Sequence, residues 1–109
     1  MTQQKYQSCI GACNACVIAC ERCATACLHE DDVKMMARCI ELDLKCADIC
    51  ALAAREVARD SEFAQRICAV CAESCQACGD ECARHEMDHC QECAKACHNC
   101  AEECRKMAA

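Results

Sequence analysis

The sequence predicts an all-α protein, an antiparallel up-down-up-down four-helix bundle with a cysteine-lined core. Cysteines recur at separations of three and four residues, which place their side chains on one face of a helix. This alternation occupies three stretches of the chain, and a fourth stretch keeps it with fewer thiols. Only a few residues separate consecutive stretches, so that neighbouring helices must run antiparallel. The 109 residues suit one domain.

The first helix is predicted over about residues 3–28. Its cysteines are separated by four, three, four, three and four residues, and their sulfurs fall within an arc of roughly 80°. A continuous stripe of thiols therefore runs along one helix face, formed by Cys9, Cys13, Cys16, Cys20, Cys23 and Cys27. Three acidic residues follow and offer caps for the second helix: Glu30, Asp31 and Asp32.

The second helix is predicted over about residues 32–58 and ends with the basic residues Arg55 and Arg59. The same alternation continues on Met36, Cys39, Asp43, Cys46, Cys50, Ala53 and Val57. Asp43 stands where a thiol is expected. Because a buried carboxylate is costly and is a hard ligand for a soft ion, we expect Asp43 to be hydrogen-bonded to thiols or to a neighbouring helix.

The third and fourth helices are predicted over about residues 61–84 and 88–107. Residues 60–62 form an acidic, cap-rich start to the third helix, and Asp88 is expected to cap the fourth helix against Gln91. Each helix carries five cysteines separated by three, four, three and four residues: Cys68, Cys71, Cys75, Cys78 and Cys82 in the third, and Cys90, Cys93, Cys97, Cys100 and Cys104 in the fourth.

Antiparallel packing predicts two different ends for the bundle. The first end, which we call the mouth, has as its outermost thiols Cys27, Cys39, Cys82 and Cys90. Its expected metal-loading ligands are Met36, His29, His85 and His89, although turn histidines are also common as solvated surface residues. The other end, which we call the closed end, holds Cys9, Cys68 and Cys104. The apolar seal of the closed end is expected from Ala53, Val57, Ala64 and either Phe63 or Tyr6.

The 19 cysteines require a chemical explanation. A cysteine can be a small buried hydrophobe, but leucine or valine would bury more apolar area without the risk of oxidation. A complete disulfide framework does not suit an odd number of thiols in a reducing cytosol. Thiolates bind soft ions, namely copper(I), zinc, or iron in sulfur clusters. We therefore predict that all the cysteines are metal ligands.

Charge favours copper(I) among these metals. A copper(I) ion that replaces one thiol proton leaves the core charge unchanged, whereas zinc held by four thiolates leaves about two negative charges per site. Roughly four zinc sites would place a charge on the order of −8 in a bundle without inward Lys or Arg. Cysteines three or four residues apart on a helix are also neighbours that can hold one ion between two sulfurs.

Two other functions stay open from the residues alone. C-x-x-C pairs also occur in zinc and iron–sulfur proteins, although iron–sulfur motifs usually lie in loops that wrap the cluster. A redox protein that carries disulfides is the other alternative. An enzyme with a nucleophilic cysteine would need one thiol set apart with a base, and no cysteine is distinguished in this way. No catalysis is therefore predicted.

Composition argues against other classes of partner. The net charge is −6 and the 12 Lys and Arg residues are scattered, which does not suit a nucleic-acid interface. The first residues, MTQQKYQS, have neither an apolar run nor a small-residue cleavage site, so that we expect no export signal and a cytoplasmic location. No segment is expected to approach a membrane span.

The uninterrupted alternation of C-x-x-C and C-x-x-x-C on three helices resembles that of the bacterial copper storage proteins, which are cysteine-lined four-helix bundles. The resemblance covers nearly the whole chain and is to the cytosolic branch. It implies storage of many copper(I) ions for buffering, detoxification and supply to copper enzymes, a histidine-bearing mouth, and a homotetramer. Exported members have a methionine-rich mouth, and Met35, Met36 and Met87 leave the loading ligands of this chain open.

Overall fold

The computed structural model describes residues 3–109, with residue 3 described by its backbone only. The four α-helices are α1 (Gln3–Cys27), α2 (Ala37–Ala58), α3 (Ala64–Ala83) and α4 (Asp88–Ala108). A short 3-10 helix, Val33–Met36, precedes α2. No strand occurs within residues 3–109. The molecule is a rod of 46 × 18 × 18 Å.

The helices form a square in which each one packs against two neighbours. The α1 helix packs on α2 and α4, and α3 packs on the same two helices from the opposite corner. The connections from α2 to α3 and from α3 to α4 span only residues 59–63 and 84–87, so that consecutive helices run antiparallel. The predicted all-α four-helix bundle is confirmed.

The core consists almost entirely of cysteine and alanine. All 19 cysteines are free and buried, each with 0% exposure. The largest fully buried apolar side chains are Met36, Met107 and Val57. The spacing of the cysteines therefore predicts correctly which face of each helix points inward. It also leaves the core with few large apolar groups.

Two helices begin later than the sequence suggests because the connections form their own hydrogen bonds. The chain before α2 winds first into the 3-10 helix, where the Asp32 carboxylate accepts a hydrogen bond from the backbone N–H of Met35 (3.4 Å). The α3 helix begins at Ala64, because the Ser61 hydroxyl oxygen accepts a hydrogen bond from the Phe63 N–H (3.0 Å) and closes a turn ahead of it.

The predicted cap by Asp88 is wrong. Asp88 is the first residue of α4, and the capping position is occupied by Met87, which makes no side-chain hydrogen bond there. Gln91 instead donates from Nε2 to the backbone carbonyl oxygens of His85 (2.6 Å) and Ala83 (3.3 Å). The Gln91 side chain thus fastens the start of α4 to the end of α3.

Within residues 3–109, one helix is long and apolar enough to cross a membrane by length and composition, the stretch Gln4–Cys27 of α1. The expectation that no segment approaches such a span is wrong on this measure, because cysteine and alanine both count as apolar. In the bundle, the cysteine face of α1 is buried, whereas Glu21 and Arg22 on the same helix are exposed. The α1 helix is therefore a core helix of the bundle.

The predicted seal of the closed end is partly correct. Phe63 is 49% exposed and does not contribute to the seal. Tyr6, the alternative, packs against the core. Met107 was not predicted to take part in the seal, but it is 2% exposed and adds a large apolar group. The buried apolar residues at this end are Ala53, Val57, Ala64 and Met107.

Candidate metal centre

The thiols, together with the Asp43 carboxylate, form one column along the bundle. Sγ–Sγ contacts of 3.4 to 4.0 Å lead from Cys9 at the closed end to Cys93, and a second set of contacts at the mouth joins Cys23, Cys27, Cys39, Cys82 and Cys90. The Asp43 carboxylate lies between the two sets, where its Oδ1 accepts hydrogen bonds from Cys93 and Cys82. The Sγ atoms of Cys50 and Cys75 are 3.4 Å apart and join α2 to α3. Such separations exceed the disulfide bond length of about 2.05 Å. The interior is a set of free ligands in mutual contact.

The sulfurs gather in groups of four whose Sγ atoms all lie within 4.8 Å of one another. Each of these groups draws its sulfurs from three helices, so that the fold, and not a local motif, assembles it. Neighbouring groups share sulfurs, because Cys16, Cys20, Cys46 and Cys97 each belong to two groups. The groups include Cys13/Cys71/Cys100/Cys104, Cys16/Cys46/Cys50/Cys75, Cys16/Cys20/Cys46/Cys97, Cys20/Cys78/Cys93/Cys97 and Cys23/Cys27/Cys39/Cys90.

The core offers no cation to balance thiolate charge. Among the described side chains, no Lys or Arg is buried. Burial raises the pKa of the Cys90 thiol to about 11, and it also raises the pKa of Cys27. These thiols are therefore protonated at neutral pH, and a metal ion must displace their protons to bind.

Asp43 is a buried carboxylate held by thiols, as the sequence predicts. It has 0% exposure, and its Oδ1 accepts hydrogen bonds from the Sγ atoms of Cys78 (3.1 Å), Cys93 (3.4 Å) and Cys82 (3.5 Å). Burial raises the pKa of Asp43 to about 8. The carboxyl group therefore joins the proton-sharing network of the core.

His89 connects the thiol column to the protein surface. Its Nδ1 lies 3.5 Å from the Cys90 Sγ and 3.6 Å from the Cys23 Sγ, while its Nε2 lies 2.9 Å from a carboxylate oxygen of Glu30. Because an ionised carboxylate only accepts hydrogen bonds, Glu30 fixes the proton on Nε2 and leaves the Nδ1 lone pair facing the thiols. A metal-binding histidine is commonly oriented by a carboxylate in this manner.

The other two predicted mouth histidines have different surroundings. His85 is buried in the connection that follows α3, and its Nε2 lies 3.0 Å from a carboxylate oxygen of Glu81. His29 is exposed, and its Nδ1 donates to the backbone carbonyl oxygen of Thr25 one helical turn earlier (3.0 Å). His89 is thus the histidine that the structure brings to the thiols.

The three methionines near the mouth also differ in position. Met36 is fully buried and packs in the core three residues before Cys39. Met35 is exposed and Met87 is half-buried, and together with His85 they line a surface cavity of about 260 Å³. Met36 is therefore buried in the core near Cys39, whereas the partly exposed His89 is in contact with the thiols.

Two residues of the site, Glu30 and Met107, were not predicted in the positions that they occupy. Glu30 was expected only as a helix cap, since its contact with His89 depends on how the connection after α1 folds. Met107 had a sequence signal, because it follows Cys104 by three residues and so continues the alternation of α4. The prediction for α4 rested on its cysteines alone and so did not include Met107.

The fold and the site define a class of protein, a four-helix bundle whose interior is a column of thiols suited to soft metal ions. Its sequence matches the family model described as "Csp: Copper storage protein" over residues 2–109. The chain belongs to the copper storage protein family.

Individual relatives are similar over almost their full length. The chain is 53% identical over 107 residues to the "uncharacterized cysteine-rich protein YhjQ" of Bacillus subtilis (strain 168), covering 98% of this chain and 99% of the relative. The Cu(I)-bound copper storage protein BsCsp3 is 53% identical with a TM-score of 0.92, at coverages of 96% and 99%. A cytosolic copper storage protein from Streptomyces lividans with five coppers is 38% identical with a TM-score of 0.93, at coverages of 96% and 92%.

Proposed function

We propose that this chain stores many copper(I) ions on the cysteine thiolates of its core, buffering the metal and releasing it to other proteins. The observation that carries this proposal is the column of four-sulfur groups, three of which overlap through the shared residues Cys16, Cys20, Cys46 and Cys97. A shared thiolate can bridge two ions, so that adjacent ions bind along the whole column. Because each copper(I) replaces one proton, the filled core stays neutral.

Zinc fits the same sulfurs less well. Four of the groups named above share no sulfur, and each could hold one zinc ion. Every such site would retain about two negative charges, for a total on the order of −8. No described Lys or Arg is buried to offset this charge. Iron–sulfur clusters fit no better, because their cysteines usually come from loops that wrap the cluster, and here all of them lie within helices.

Copper enters past His89. Its Nδ1 offers a neutral nitrogen ligand beside Cys23 and Cys90, and Glu30 keeps the ring in place. His85 and Met36 border the same end and support loading there. The Nδ1 proton of His29 is engaged by the Thr25 carbonyl group, so that His29 stands apart from this route.

The protein acts in the cytoplasm as a non-catalytic homotetramer. The relative from Streptomyces lividans is a cytosolic copper storage protein, which supports the location. Every thiol is equally buried, so that none resembles an accessible nucleophile. Ile18 and Leu52 are apolar and exposed, which supports association of subunits through the outer faces of α1 and α2. Sedimentation velocity of the full chain checks the tetramer.

Competition between the two candidate metals tests the function. The reduced protein is mixed under anaerobic conditions with one equivalent each of copper(I) and zinc(II) per thiol, desalted, and analysed for both elements. We expect bound copper in large excess over zinc. Retention of about four zinc ions, with copper left in the flow-through, would overturn the copper assignment.

A further inference from the structure

The last layer of thiols at the closed end is incomplete. Its cysteines come from three helices: Cys9 of α1, Cys68 of α3 and Cys104 of α4. The Sγ atoms of Cys9 and Cys104 are 4.0 Å apart, and Cys68 is fully buried with them in the same core cluster. The α2 helix ends its thiols at Cys50 and presents Ala53 and Val57 beyond it. One corner of this layer therefore has no sulfur ligand from a cysteine.

Met107 lies at this incomplete layer. It is three residues beyond Cys104, on the same face of α4, and it belongs to the same buried core cluster as the thiols. Together with Tyr6, Val57 and Ala64 it lines a cavity of about 190 Å³ at the closed end. Met107 is thus buried at the closed end, one helical turn beyond the last cysteine of α4.

A second methionine has the matching position at the mouth. Met36 is fully buried three residues before Cys39, as Met107 is buried three residues after Cys104. Each end of the column is therefore followed, one helical turn outward, by a buried thioether. A leucine would close either end equally well as an apolar plug, but it would offer no donor atom.

The chemistry of the thioether suits this place. Methionine sulfur is a soft ligand that selects copper(I), and it carries no charge. A fourth thiolate beside Val57 and Ala64 would add negative charge to an apolar seal, whereas a thioether adds a donor without that cost. We propose that Met107 is a metal ligand, and that with Cys9, Cys68 and Cys104 it forms the outermost copper(I) site at the closed end. This proposal rests on the proposed storage function.

The first test compares the parent protein with Met107→Leu, which keeps the apolar volume of the plug. A matched control is Met35→Leu, because Met35 is exposed at the opposite end. Each protein is saturated with copper(I) under anaerobic conditions and equilibrated with a strong chelator. We expect Met107→Leu to retain about one ion fewer than the parent, or to bind its last ion about tenfold more weakly, an effect of the size seen when support for a metal ligand is lost. Met35→Leu is expected to match the parent.

The second test observes the bond itself. The protein is labelled with selenomethionine in a Met35→Leu/Met36→Leu/Met87→Leu background, and selenium X-ray absorption is recorded before and after loading. We expect copper scattering from selenium in the loaded protein, and we expect it to vanish when Met107→Leu is added. A protein that takes up copper without such scattering overturns the Met107 assignment alone. A parent that takes up no copper overturns both this assignment and the storage function.

Discussion

His89 is the residue whose environment departs furthest from that of an ordinary surface histidine. Glu30 binds one ring nitrogen and the thiols of Cys23 and Cys90 lie beside the other. We expect His89→Ala to slow copper loading by roughly tenfold, because the ion loses its first neutral ligand, while capacity stays nearly unchanged since the thiols remain. Stopped-flow mixing with a copper(I)–chelator complex measures the rate.

His29→Ala is the matched control for this prediction. His29 lies near the same end of the bundle, but it is exposed and its Nδ1 bonds to its own helix. Its removal is expected to leave the loading rate within about twofold of the parent, as for a surface substitution away from the site. If both variants load at the parental rate, or if His29→Ala is the slower of the two, copper does not enter past His89.

Asp43 makes the metal-free protein sensitive to pH. Burial raises its folded pKa to about 8, from an ordinary value of 3.8. Between these values the folded state holds a proton that the unfolded state has released, so that the free energy of unfolding falls as the pH rises from about 4 to about 8. We predict that Asp43→Asn makes this decrease in the free energy of unfolding smaller. Urea unfolding of the reduced, metal-free proteins at pH 5 and pH 8 measures it, and an identical loss in both proteins would contradict the prediction.

The sequence predicted the inward cysteines and the hydrogen-bonded Asp43 because both depend only on helical periodicity. It grouped three histidines at the mouth because topology determines which turns share an end. It could not separate His89 from His29, since that difference depends on the direction of each side chain and on the contact between His89 and Glu30, which are 59 positions apart.

At the scale of the helices, the two glycines differ in the space around them. A Cβ atom added at Gly79 would lie 2.5 Å from the Cδ2 atom of His98 on α4, whereas one added at Gly11 would meet nothing within 4 Å. Gly79 therefore permits the close approach of α3 and α4. The same approach lets the His98 Nε2 donate to the Asp80 carboxylate at 2.9 Å.

We predict that Gly11→Ala stabilises the metal-free protein by about 0.5–1 kcal/mol, the usual gain of replacing glycine within a helix. Gly79→Ala is expected to be less stable than Gly11→Ala by at least about 1 kcal/mol, because His98 must turn away from Asp80. Urea unfolding of both variants measures this difference. Adding His98→Ala should remove most of it, and equal stability of the two alanine variants would show that the helices do not pack closely there.

The helix ends were harder to predict than the helices themselves. The chain has no proline, and its two glycines lie inside helices, so that the strongest signals for helix ends were missing. Charged and capping residues correctly indicated where the connections lie, but they did not indicate which hydrogen bonds form there. Ser61 closes a turn before α3, and Gln91 donates to a backbone carbonyl group of the preceding connection instead of receiving a cap from Asp88. Which of these side-chain hydrogen bonds forms depends on the folded conformation of each connection.

At the scale of the whole molecule, the bundle gains little from apolar burial because its core is made of thiols and alanine. Copper that binds only the folded state stabilises it by mass action, by about 4 kcal/mol at a free concentration 1,000 times the Kd. We predict that full loading raises the Tm by roughly 15 °C or more for a chain of this size. Anaerobic circular dichroism measures the Tm, and an unchanged value on loading would show that copper does not bind the native core.

The copper capacity of the whole core tests the central claim most directly. Reduced protein is titrated with copper(I) under anaerobic conditions in the presence of a chromophoric chelator, whose copper complex forms only after the protein is full. Because adjacent ions share thiolates and each ion displaces one proton, we predict saturation near one copper(I) per thiol, close to the 19 cysteines of the chain. Saturation at about four ions would mean separate four-thiolate sites and would contradict storage along the whole column.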